Sequence, residues 1–146
     1  MPKNVPSYSI GLVLQAATSI ALERLRDSHI IYQWKLRDYE KLPDFMVTDN
    51  KWRIWEIECK NWQTYRKPTR IAWMFDKNFS TNLRILIGGA PFHLTAEVKR
   101  YVKLLYTEVI ILGEQVTKDN VGVMTDIVYD KLLTFFERHG SLPEKS

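Results

Sequence analysis

The chain has 146 residues, of which 45% are hydrophobic and 26% charged, and its net charge is +4. That is enough for one well-buried core and unlike a disordered or fibrous chain, so a single domain over residues 1–146 is expected. One cysteine, Cys59, excludes an internal disulfide framework and a cysteine-based zinc site, and suits a reducing, cytoplasmic setting. The mild positive charge permits a polyanionic partner without demanding one.

Residues Ser7 to Asp27 read as an amphipathic helix, with Ile10, Val13, Leu14, Ala17, Ala21 and Leu25 at helical spacing. Its start could pass for a signal segment, but Gln15, Thr18 and Ser19 interrupt it and a charged pattern follows, so a mature helix is expected. No run approaches the roughly 20 apolar residues that cross a bilayer, and no membrane partner is expected. His29 to Leu36 is rich in β-branched and aromatic residues and predicts a strand. The segments DFMVTD and RIWEIECK predict two more strands, joined by a polar turn around Asp49, Asn50 and Lys51. A short helix is expected next, with Ile71, Met74, Phe75 and Phe79 on one side. The run LRILIGG predicts a buried strand, Leu94 to Tyr106 a helix, EVIILG another strand, and Val121 to Arg138 a last helix closed by Gly140. The order α-β-β-β-α-β-α-β-α predicts a mixed sheet flanked by helices: the middle hairpin is antiparallel, and strands separated by helices run parallel.

Three places carry an acidic residue two before a lysine: Asp49/Lys51, Glu58/Lys60 and Glu97/Lys99. Residues two apart share a face on a strand but diverge by about 200° on a helix, which sets Glu97 and Lys99 apart. Asp49 and Lys51 fall in the turn, where nothing is expected to fix their side chains. Glu58 and Lys60 lie side by side on one strand face with Glu56, while Trp55, Ile57 and Cys59 form the face that packs on a helix. If Phe45 and Val47 join that core, Asp44 comes opposite Glu58. This register needs a three-residue loop or a bulge, because a two-residue turn at Asp49-Asn50 would set Asp44 opposite Trp55. Carboxylates and an ammonium on a half-buried face are costly unless they pair or bind a metal. A simple Glu58–Lys60 ion pair beside a solvated Asp44 is the plainer alternative.

Pro43-Asp44 followed by Glu58-Cys59-Lys60 on the next strand resembles the PD-(D/E)xK nuclease superfamily, the restriction-endonuclease-like fold. The likeness covers roughly residues 7 to 90 and is greatest to archaeal Holliday-junction resolvases and Mrr-type nuclease domains. It implies a DNA endonuclease in which Asp44, Glu58 and the backbone carbonyl of Cys59 hold Mg2+, with Mn2+ able to substitute, and Lys60 lies near the attacking water. The products implied carry a 5′-phosphate and a 3′-hydroxyl. The family often adds a glutamate from the first helix. The matching position here is Gln15, and Glu23 and Glu56 are the other candidates for completing the site. A catalytically weak nucleic-acid-binding module on the same fold is the alternative reading, and an unrelated α/β protein with merely ion-paired carboxylates is a third.

After the motif, Trp62 and Tyr65 alternate with Arg66, Lys67 and Arg70, a pattern suited to phosphates and exposed bases. Lys99, Arg100 and Lys103 could extend this patch or simply solvate a helix face. His29, His93 and His139 form no metal-ligand spacing, and Gly88-Gly89 lacks the residues of a phosphate loop. Cys59 is expected to be an inert, core-facing thiol. The last helix is apolar over more than one stripe, from Val123 to Phe136, which suits either a homodimer seam or deep burial.

Overall fold

A computed structural model describes residues 7–37, 42–61, 78–89 and 96–139. Its elements are α1 (Ser7–Asp27), β1 (Ile31–Leu36), β2 (Phe45–Asp49), β3 (Ile54–Lys60), β4 (Arg84–Gly88), α2 (Ala96–Leu105), β5 (Glu108–Ile111) and α3 (Val121–His139). The short helix expected around Ile71 to Phe75 and the basic–aromatic segment Trp62, Tyr65, Arg66, Lys67 and Arg70 lie outside the described residues.

The five strands form one open mixed sheet in the order β1-β2-β3-β4-β5. β1 and β3 flank β2 antiparallel, whereas β3/β4 and β4/β5 are parallel, as the connections require. The hairpin strands are thus interior to the sheet and not an exposed ribbon.

Alternation along the strands aims Phe45, Val47, Trp55, Ile57, Ile85, Ile87 and Ile110 into one core. Leu14, Ala17, Ala21, Leu22 and Leu25 of α1 meet them there, with Met124, Val128, Leu132, Phe135 and Phe136 of α3. The small side chains of Ala17 and Ala21 let α1 lie close against its neighbours. Trp55 packs edge-on against both Phe135 and Phe136, at 4.9 and 5.9 Å between ring centroids. Leu86 points the other way and is buried outside this cluster, as are Val102 of α2 and Tyr106. On α3 most of the wide apolar surface faces this core, and Val123 is exposed.

Strand β1 starts two residues later than its composition suggests, because the helix end consumes the intervening residues. His29 N–H donates to Arg26 at 3.0 Å and Ile30 N–H to Leu25 at 2.9 Å, the pair of bonds that closes a helix through a left-handed residue. That residue is His29, with φ 62°.

The β2–β3 loop has three residues, Asn50, Lys51 and Trp52. Asp49 N–H bonds the Arg53 carbonyl at 2.9 Å, Trp52 N–H returns to the Asp49 carbonyl at 3.1 Å, and Trp52 sits at φ 66°. Glycine usually takes this last position, and a side chain there costs about 1–2 kcal/mol. Phe45 accordingly pairs with Ile57, Met46 with Glu56 and Val47 with Trp55.

Asp49 departs from expectation. It is 0% exposed. Its carboxylate accepts from the N–H groups of Lys51 (2.8 Å) and Arg53 (2.9 Å), from Arg53 Nε (2.9 Å) and from Trp55 Nε1 (2.9 Å). The turn backbone and the first residues of β3 converge on the side chain, an arrangement that depends on the folded loop and not on the turn sequence alone. Burial is the largest single influence and pushes the Asp49 pKa up. The hydrogen bonds from Trp55 and Arg53 together outweigh it and hold the carboxyl below the ordinary aspartate value.

Candidate active site

Continuing the β2–β3 register by one residue sets Asp44 across from Glu58. The ladder ends here for a covalent reason. The next pair would be Pro43 with Cys59, and proline has no N–H to give. In β3 the odd-numbered residues bond toward β2, as Arg53 does with Asp49. The even-numbered ones bond toward β4: Glu56 N–H donates to Leu83 and Lys60 O accepts from Gly89, both at 2.9 Å. The N–H and C=O of Cys59 therefore point to the side where β2 has stopped. The carboxylate of Asp44 takes the place of the missing strand, with Oδ2 accepting the Cys59 N–H at 2.8 Å.

The first helix reaches the same carboxylate. Gln15 Nε2 donates to Asp44 Oδ1 at 2.9 Å, so of the three candidates for completing the site Gln15 is the one hydrogen-bonded to it. One turn further, the Thr18 hydroxyl bonds the Leu14 carbonyl at 2.9 Å and lies 3.5 Å from Cys59 Sγ. Burial, and then the Asp44 carboxylate, raise the Cys59 thiol well above the ordinary thiol range, so it stays protonated and inert at neutral pH.

Glu58 is 1% exposed, and its Oε2 lies 3.3 Å from Lys60 Nζ, whose side chain keeps partial access to solvent. This is not a surface ion pair. Just beyond, Asn61 exchanges two side-chain hydrogen bonds of 2.8 Å with the backbone of Val116, fastening the chain end of β3 to the loop after β5.

The other two candidates are engaged elsewhere. Glu23 binds Arg26 at 2.8 Å and accepts from Trp34 Nε1 at 3.0 Å, beside β1. Glu56, 0% exposed, receives Arg37 Nη1 (2.8 Å), Ser80 N–H (2.7 Å), Ser80 Oγ (3.1 Å) and Thr81 N–H (3.0 Å). Arg37 and Ser80 are distant in sequence, and neither lies in a strand or a motif. Arg37 also donates its own N–H to the Asp44 carbonyl at 2.7 Å, so one residue grips both β3 and the start of β2. Nothing local in the sequence signals that link.

Among the described residues, no three His, Cys, Asp or Glu side chains converge as a metal-binding group. A cation held here would rely on Asp44 and Glu58, supplemented by neutral oxygens and water. Mg2+ tolerates such a set, since it binds through one or two carboxylates and keeps several waters. Each Asp44 oxygen accepts one of the hydrogen bonds described, and a carboxylate oxygen has two lone pairs, so the donors fit.

Among the described residues, no helix is long and apolar enough to cross a membrane. Comparison with protein-family models, curated proteins and solved structures finds no match.

Proposed function

We propose that the chain is a metal-dependent DNA endonuclease of the PD-(D/E)xK type, with a restriction-endonuclease-like fold and a preference for branched DNA resembling that of Holliday-junction resolvases. The observation that carries the reading is the end of the β2–β3 ladder. There Asp44 faces Glu58, the Cys59 carbonyl points to the same opening, and Gln15 of α1 braces Asp44. The register sets Asp44 across from Glu58, and α1 supplies the amide that binds Asp44, a setting that a chance Glu-x-Lys tripeptide does not require.

Asp44, Glu58 and the Cys59 carbonyl would hold Mg2+, with Mn2+ as a substitute. When bound, the ion would polarise the scissile phosphate and offset charge developing on its oxygens. Lys60 supplies an ammonium beside Glu58, placed to attract the phosphate and to orient a water through its N–H donors. Gln15 fixes the rotamer of Asp44 without adding a third negative charge. The partly buried Cys59 thiol keeps its proton and does not serve as a base. A homodimer would suit cutting of two strands.

A binding module without hydrolytic power is the second reading, favoured by the neutral Gln15 where the resemblance leads to an acid. Labelled duplex, single-stranded and four-way-junction DNA, incubated with Mg2+, Mn2+ or chelator, separates the two. Metal-dependent cutting lost in Asp44→Asn and Lys60→Ala supports the nuclease. Binding without cutting supports the module, and cutting that survives both substitutions refutes the site.

A further inference from the structure

Three departures from regular backbone geometry meet at the opposite end of the sheet. The first is His29, left-handed at the close of α1. The second is Trp52, left-handed at the tip of the β2–β3 loop. The third is a bulge in β1: Ile31 pairs with Asp49 but Gln33 pairs with Thr48, leaving Tyr32 as the extra residue. A bulge re-aims the side chain it carries. Here the result is a ring pair, Tyr32 and Trp52, with centroids 4.6 Å apart and planes inclined at 56°.

Both rings are largely in water, Tyr32 at 51% and Trp52 at 69% exposure. Burial therefore does not account for a tryptophan at a position where glycine is the easy choice. Tyr32 also borders an open cleft of about 430 Å³, shared with Arg26, Asp27, His29 and Asn50. The Asn50 amide is held rigidly, donating to the carbonyls of His29 (2.8 Å) and Ile30 (3.1 Å), which directs its side-chain oxygen as an acceptor. Arg26 is paired with Glu23, and Asp27 is an acid, so the cleft is not a strongly cationic groove. Flat aromatic faces beside mixed donors and acceptors match a planar, heteroatom-edged ring better than a bare phosphate.

We propose that Tyr32, Trp52 and this cleft form a nucleobase-binding site, separate from the Asp44 site. The base would stack on the exposed rings, with its edge toward Asn50 and His29. The five residues of β2 set the two sites about 16 Å apart. The inference does not need the Asp44 site to be catalytic.

The test uses the full chain in chelator, so that no cutting occurs. Binding of a fluorescein-labelled single-stranded oligonucleotide, a mononucleotide and a fully paired hairpin is followed by anisotropy or competition, with a thermal melt of each variant. Trp52→Gly, which relieves the left-handed strain, is expected to melt at the same or a higher temperature yet bind the single strand about tenfold or more weakly, the loss of one stacked base. Tyr32→Ala weakens binding likewise. Equal affinity for mononucleotide and oligonucleotide identifies a free nucleotide as the source of the base, and stronger oligonucleotide binding identifies a strand; either supports the site. Wild-type binding by both Trp52→Gly and Tyr32→Ala overturns it. So does a Trp52→Gly chain that melts lower while Tyr32→Ala binds normally, since the tryptophan is then only structural. A concentration-dependent dimer lost in Trp52→Gly, with no base binding, also overturns it in favour of an interface between copies. Loss of cutting in the Asp44 variants has no bearing on these outcomes.

Discussion

Gln15 of α1 donates its side-chain amide to Asp44 at 2.9 Å, joining the first helix to the first residue of the acidic pair. The bond is neutral-to-charged, so it orients the carboxylate while leaving the local negative charge at that of Asp44 and Glu58. Replacing the amide by a carboxylate changes that balance.

Gln15→Glu is expected to lower the melting temperature in chelator, through repulsion on the order of 1–3 kcal/mol at this partly buried place. Added Mg2+ should restore more stability to the variant than to the parent, because a third carboxylate tightens cation binding. Thermal melts across a Mg2+ titration measure this. Equal Mg2+ shifts in the two proteins would count against a cation at Asp44.

Glu56 and Arg37 form a buried pair at 2.8 Å, with Ser80 and Thr81 completing the carboxylate's partners. Removing one member leaves the other charge uncompensated in the interior. Glu56→Ala should therefore cost about 3–5 kcal/mol in urea unfolding. Arg37→Ala should cost a similar amount, and the double variant less than the sum, because the two losses share one interaction.

Asp49 makes stability depend on pH in a defined direction. Its folded-state pKa lies below its unfolded value, so its contribution is fully present above about pH 5 and is lost as pH falls through 4 toward the folded-state value. Urea midpoints between pH 3 and 7 should fall steeply on the acid side. In Asp49→Asn that limb should flatten, with lower stability at pH 7.

The Cys59 thiol is raised by burial and by Asp44, and lies against Thr18. Labelling with a thiol reagent at pH 8 should be slower than for an unfolded control by roughly tenfold or more, and reach the control rate in denaturant. Rapid labelling of the native chain would show that the strand end opens.

Much of this architecture is legible in the residues themselves. Helical spacing in Leu14, Ala17, Ala21 and Leu25, alternation in Phe45 to Asp49, and the apolar run at Ile85 to Ile87 each obey a local period. Local periods survive without knowledge of the partner. The hairpin register is legible too, because only an odd loop lets Phe45 and Val47 share the core with Trp55 and Ile57. That constraint brings Asp44 opposite Glu58 from the sequence alone.

What only the tertiary structure decides is which polar groups meet. Asp49 reads as a free turn residue until the folded loop closes four donors on it. Glu56 reads as one of two acids on a strand until Arg37 and Ser80 arrive from other parts of the chain. Gln15 and Glu23 stand on the same helix, and packing alone gives Gln15 to Asp44 and Glu23 to Trp34. Hydrogen bonds act over about 3 Å and depend on direction, so they are settled by the final placement of side chains. Hydrophobic burial is non-directional and scales with area, and for that reason its pattern is already written along the chain.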